Sequence, residues 1–284
     1  MIEFQGKIWR GLAAIAAGAA LSSCGPAGEA GESARPDPDA AAPIGEGGEA
    51  SEAGVNAPAN APVGEGGEGD PLGEGGEAGI GPAYALVPDE AQTAMIAQHL
   101  KGFYLIGREY ARAERIDEAV ILVEQGLLEV YRPGRAALTA AAGDVDLTLL
   151  EMALNQNGAL GLELAAAIAA IDQIRGNAGG ARPEILRGML GIANALYKLA
   201  VTPDGVDPIE YQHSLGAALA AKDAYDALRA GFNAQDPARA ARLDNDFAAF
   251  LALWPQIDAP ETPSLPADIA AAISRIELSM SGFR

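Results

Sequence analysis

Glu210-Tyr211-Gln212-His213 holds the only Glu-x-x-His spacing in the chain, and on a helix this spacing sets a carboxylate and an imidazole on one face. Both groups are ordinary ligands for a divalent first-row metal. A two-metal site of the ferritin type needs a second such pair and two further carboxylates from facing helices. The other histidine, His99, has Ile96 three residues before it, so residue count excludes that site. A mononuclear centre stays open: Glu210, His213 and a third carboxylate from another helix, for which Glu109 is the candidate, with His99 as a further option. The competing reading makes Glu210 a carboxylate that complements a helix dipole and His213 a solvent-facing or hydrogen-bonded side chain.

Other chemistry finds little support. Ser214 adjoins His213, but neighbours on a helix point to different faces, so no Ser-His-Asp arrangement is suggested. Asp144 with Asp146, and Asp244 with Asp246, suit helix starts or water better than acid and base roles. No strand-turn-helix phosphate loop, metal-binding Cys/His cluster or Cys-x-x-Cys-His haem motif occurs. The sequence therefore predicts no enzyme, no catalytic residues and no cofactor beyond a divalent metal at Glu210, His213 and Glu109.

The sole cysteine, Cys24, ends a short apolar run. Lys7 and Arg10 precede the run Gly11 to Leu21, which is far shorter than the roughly 20 residues that span a bilayer. Leu21-Ser22-Ser23-Cys24 resembles the lipobox of bacterial lipoproteins. That resemblance implies removal of residues 1–23 as a signal peptide and diacylation of Cys24, with palmitate-like chains as membrane anchor. Two or three acyl chains hold stably where one does not, at about 0.8 kcal/mol per buried methylene. Gly25 stands where an inner-membrane retention signal would resemble Asp, which implies an outer-membrane anchor facing the periplasm. Surface display is a further option. With its only thiol acylated, the mature chain must hold its core by packing alone.

Residues 25–83 contain 16 Gly, 8 Pro and 12 acids against a single base, Arg35. Such a stretch has little to bury and repels itself, which predicts a disordered linker spanning about 40 Å. The lipidated cysteine and this linker form one segment, 24–83. Ala, Leu and Ile then dominate 84–284, long enough for one domain with a sizeable core. Pro88 with Asp89 and Glu90 predicts a helix start. Leu186, Met189, Leu190, Ala193, Leu196 and Tyr197 recur at helical spacing, as do Leu265, Ile269, Ile273, Ile276 and Met280. Breaks are predicted at Pro133-Gly134, Gly143-Asp144, Asn157-Gly158, Gly179-Gly180, Pro203 to Gly205, Asn233 to Pro237 and Pro255 to Pro263. The result is an all-α bundle of about seven or eight helices. Of the net charge of −20, about half falls on this domain, which argues against nucleic acid as partner.

Phe103, Ile106, Gly107, Tyr110, Ala119 and Pro133 fall near the positions that a tetratricopeptide hairpin fills, except that Glu114 stands where glycine is usual. A shift of about 34 residues finds no second copy, so a helical hairpin is predicted and a solenoid is not. Leu100 to Ala119 and Ala195 to Gly216 resemble two segments of a group of helical bacterial envelope proteins. The second segment, with Asp204-Gly205 followed by Glu210-Tyr211-Gln212, is also similar to extracytoplasmic domains associated with iron uptake. In related sequences the first segment carries histidines where Phe103 and Leu122 stand here, and an acid where His213 stands. The resemblance implies a helical envelope domain more than a specific chemistry. The leading expectation is a lipid-anchored envelope protein, non-catalytic, whose helical domain binds a partner protein or small ligand. The alternative is a periplasmic accessory protein that handles iron or copper.

Overall fold

The computed structural model describes residues 79–152 and 160–283. Cys24, the linker and the Asn157-Gly158 break lie outside the described residues. The elements are α1 (Gly81–Tyr84), a 3-10 turn (Asp89–Ala91), α2 (Gln92–Arg112), α3 (Ile116–Gly126), a π-turn (Leu127–Tyr131), α4 (Arg132–Ala142), α5 (Thr148–Met152), α6 (Leu160–Asn177), α7 (Pro183–Ala200), α8 (Pro208–Gln235), α9 (Pro237–Leu251) and α10 (Pro266–Met280). The fold is all-α. Among the described residues eight helices reach eleven residues or more, or seven if α3 and α4 count as one rod across the π-turn. The remaining pairing is a two-residue hairpin, Val201–Thr202 against Gly205–Val206, between α7 and α8.

Local chemistry explains most of the boundaries. Helices α7, α8, α9 and α10 each begin with proline, Pro183, Pro208, Pro237 and Pro266, whose missing N–H is not needed in a first turn. Asp207 caps α8 by accepting from the N–H groups of Ile209 and Glu210, and Asp236 caps α9 through Arg239 N–H at 2.9 Å. Helix α6 ends before Gly179 and Gly180, both at positive φ.

The apolar stripe of α7 is buried throughout, from Leu186 to Tyr197. That of α10 is buried from Ile269 to Met280, but Leu265 is 64% exposed. It stands one residue before the helix, in extended conformation, so helical spacing does not carry it to the core. Ahead of residue 84, Ile80 and Ala83 are also buried. Pro88 precedes only a 3-10 turn, and the α-helix starts at Gln92.

The predicted break at Pro133-Gly134 is absent. The chain runs from Ile116 to Ala142 as continuous helix, because a π-turn takes up the fault: Arg132 N–H donates to the carbonyl of Leu127, five residues back. Proline one residue later lacks an N–H, and widening the preceding turn lets the helix continue past it. The hairpin of α2 and α3 forms as expected.

Candidate functional site

Helices α2 and α8 cross antiparallel at the centre of the molecule. Gln98 meets Ala220 and Asp223 at one end, Gly102 meets Gly216 at the middle, and Tyr110 meets Gln212 at the other end. The same five-residue pattern occupies both sides of the crossing: Gln98-His99-Leu100-Lys101-Gly102 on α2 and Gln212-His213-Ser214-Leu215-Gly216 on α8. This Gln-His-x-x-Gly repeat, 114 residues apart, escapes a search at shorter periods. Comparing the sequence with itself at that offset would have found it.

The repeat delivers both histidines to one place. His99 and His213 are buried, and each packs on Phe103, with ring centroids 5.7 and 4.9 Å away. His99 Nδ1 lies 2.9 Å from the Tyr84 hydroxyl, and His213 Nε2 lies 3.0 Å from Gln125 Oε1. The phenylalanine ring is thus a packing partner common to both imidazoles.

A charge cluster lies beside Gln98. Lys101 Nζ, almost wholly buried, contacts Asp172 and Asp223, each at 2.7 Å. Arg175 from α6 pairs with the same carboxylates at 2.8 and 2.9 Å and donates to Gln98 Oε1. Gln98 Nε2 donates to the Ala220 carbonyl at 2.7 Å. Burial alone would raise the pKa of Asp223, but the Lys101 ammonium, with hydrogen bonds from Lys101 and Gln98 and the charge of Arg175, holds it below the usual carboxylate range. Two cations and two carboxylates match one another, so the cluster fastens α2, α6 and α8 together.

Gln212 anchors the opposite end. Its Nε2 donates to the Tyr110 hydroxyl at 2.6 Å, and that hydroxyl donates to Asp258 Oδ1 at 2.8 Å. Arg115 stacks over the Tyr110 ring at 4.6 Å and reaches Asp258 Oδ2. Burial first, then the bond to Asp258, raises the Tyr110 pKa.

The residues predicted to bind metal are placed as follows. Glu210 lies in the capped first turn of α8, as expected from Asp207 and Pro208. His213 lies one turn on, turned into the Phe103 contact. Glu109 is held by Arg112 at 2.7 Å and approached by Arg108 at 3.6 Å. Among the described residues no group of three or more His, Cys, Asp or Glu side chains is placed to hold a metal ion. Arginines on its own helix engage the Glu109 carboxylate, and the His213 ring meets Gln125 and Phe103.

Residues 177–283 match the family described as iron permease-associated 4-helix bundle domain. The match spans α7, α8, α9 and α10, the four proline-started helices, and agrees with the likeness of Ala195 to Gly216 to domains associated with iron uptake. No curated protein and no solved structure matches the chain. Among the described residues no helix is long and apolar enough to cross a membrane.

Proposed function

We propose that this chain is a non-catalytic accessory protein of bacterial iron uptake, anchored to the envelope through lipid on Cys24, whose helical domain engages a membrane permease. The observation that carries the reading is the coincidence of the iron permease-associated match with the complete four-helix unit α7 to α10. The crossing adds support of a physical kind: the charges clustered around the buried Lys101 ammonium neutralise one another, an arrangement suited to holding a rigid binding body. In this reading the acidic segment 25–83 separates the domain from an outer-membrane anchor facing the periplasm.

A second reading, handling of iron or copper by the domain itself, draws support from the two buried histidines of the repeated motif within an iron-associated unit. Two ligands alone bind weakly, so it requires a third group from another helix.

The test is uptake of radioactive iron by iron-limited cells. Deleting the gene should slow uptake. The full chain should restore it, and the Cys24→Ala form, released from the membrane, should not. Uptake that does not change on deletion overturns the iron reading. Calorimetric titration of the full chain with ferrous, cupric and zinc ions separates the second reading: binding lost in the Glu210→Gln, His213→Ala double variant favours it, and equal binding by both removes it.

A further inference from the structure

A groove of about 280 Å³ lies along the π-turn on the surface of the α3–α4 rod. π-turns inside α-helices recur at functional sites because they displace side chains from the regular lattice of positions. Glu124 lies at the start of the groove, Leu127, Leu128 and Tyr131 at its middle, and Arg132 and Arg135 at its end, with Glu151 of α5 also on the wall. Glu124 precedes Arg132 by eight residues, about 12 Å along a helix at 1.5 Å per residue. Charge thus changes sign along the groove, from acid through apolar to base.

Among the described residues no ion pair or side-chain hydrogen bond engages Arg132, Arg135, Glu124 or Glu151; Arg187, Arg242 and Arg275 are likewise without one, so what sets this group apart is that charges of both signs line one groove. Opposite charges lining one concavity without meeting are arranged for something between them. We infer that this groove binds a small zwitterion whose charges are separated by a short apolar chain, up to dipeptide size, with its carboxylate on Arg132 and Arg135, its ammonium at Glu124, and its apolar middle on Leu127 and Leu128. Two guanidinium groups one turn apart suit a carboxylate. The volume is at the small end for ligand pockets and limits the ligand to that size. This site lies outside the segment 177–283 and is independent of the iron reading.

The probe is 6-aminohexanoate, with hexanoate and hexylamine as controls that each lack one charged end, titrated into the full chain by calorimetry. The zwitterion should bind saturably and at least tenfold more tightly than either control, a difference of about 1.4 kcal/mol. The Arg132→Gln, Arg135→Gln double variant should lose that advantage while hexylamine binding is unchanged. Glu124→Gln should weaken the zwitterion and hexylamine but leave hexanoate unaffected. These are surface positions, and circular dichroism should show the wild-type fold in each variant. No saturable binding of 6-aminohexanoate, equal binding of all three probes, or variants indistinguishable from wild type would each overturn the assignment.

Discussion

Gly102 and Gly216 meet backbone to backbone: a Cβ added to Gly102 would lie 2.9 Å from the carbonyl oxygen of Gly216, and one added to Gly216 would lie 3.0 Å from that of Gly102. The contact is reciprocal because the helices run antiparallel and carry the same motif at the crossing. It sets how deeply α2 and α8 approach, and with that the position of His99, Phe103 and His213.

Gly102→Ala should therefore destabilise the protein by about 2–3 kcal/mol, since backbone cannot move aside as a side chain tip can. Gly216→Ala should cost a similar amount. The double variant should cost less than the sum, because the first methyl already separates the helices. Urea midpoints of the three variants check this; strict additivity would mean that the glycines act separately.

Asp223→Asn should lower stability at neutral pH by about 2–3 kcal/mol, below the usual 3–5 for a broken buried pair because Asp172 still faces Lys101. The folded-state pKa of Asp223 is depressed relative to an unfolded value of about 3.9. Its ionic contribution is therefore complete well above about pH 4 and is lost as pH falls through the lower folded value. The gap between wild type and variant should narrow from pH 7 to pH 3, measured by denaturant unfolding. A gap of constant size would show that the ionised form is not what stabilises.

Glu114 ends α2 at φ +61°, the left-handed conformation that glycine adopts without strain. The hydrogen bond from Arg115 N–H to the Tyr110 carbonyl, at 3.0 Å, closes a Schellman-type helix end around it. Relief of an αL penalty of about 1–2 kcal/mol, less the entropy glycine gains unfolded, predicts that Glu114→Gly stabilises by about 0.5–1 kcal/mol. Thermal melts should show a rise for glycine and none for Glu114→Ala.

Cleavage before Cys24 and acylation on it are expected from Leu21-Ser22-Ser23-Cys24. Mass spectrometry of the membrane fraction should find a lipidated N-terminal cysteine. A chain that keeps Met1 and stays in the soluble fraction would remove the anchor from the proposal.

The helical class, the ends of α6 and α8 and the start of α7 are legible in the sequence because proline, glycine, capping aspartate and apolar periodicity act within a few residues. Asp207 and Pro208 fix the first turn of α8 by such local means, and Glu210 is where they imply. What tertiary structure decided depends on contacts far apart in the chain. Pro133 signals a break locally, yet packing on both sides of it favours a widened turn over an ended helix. Lys101 and Gln98 look like surface residues until Asp172, Arg175 and Asp223, contributed by α6 and α8, satisfy them in the interior. Glu109, Glu210 and His213 have metal-ligating chemistry, but whether side chains converge is a property of helix rotation at the crossing. The backbone contact between Gly102 and Gly216 helps fix that rotation, and with it the packing of His213 on Phe103.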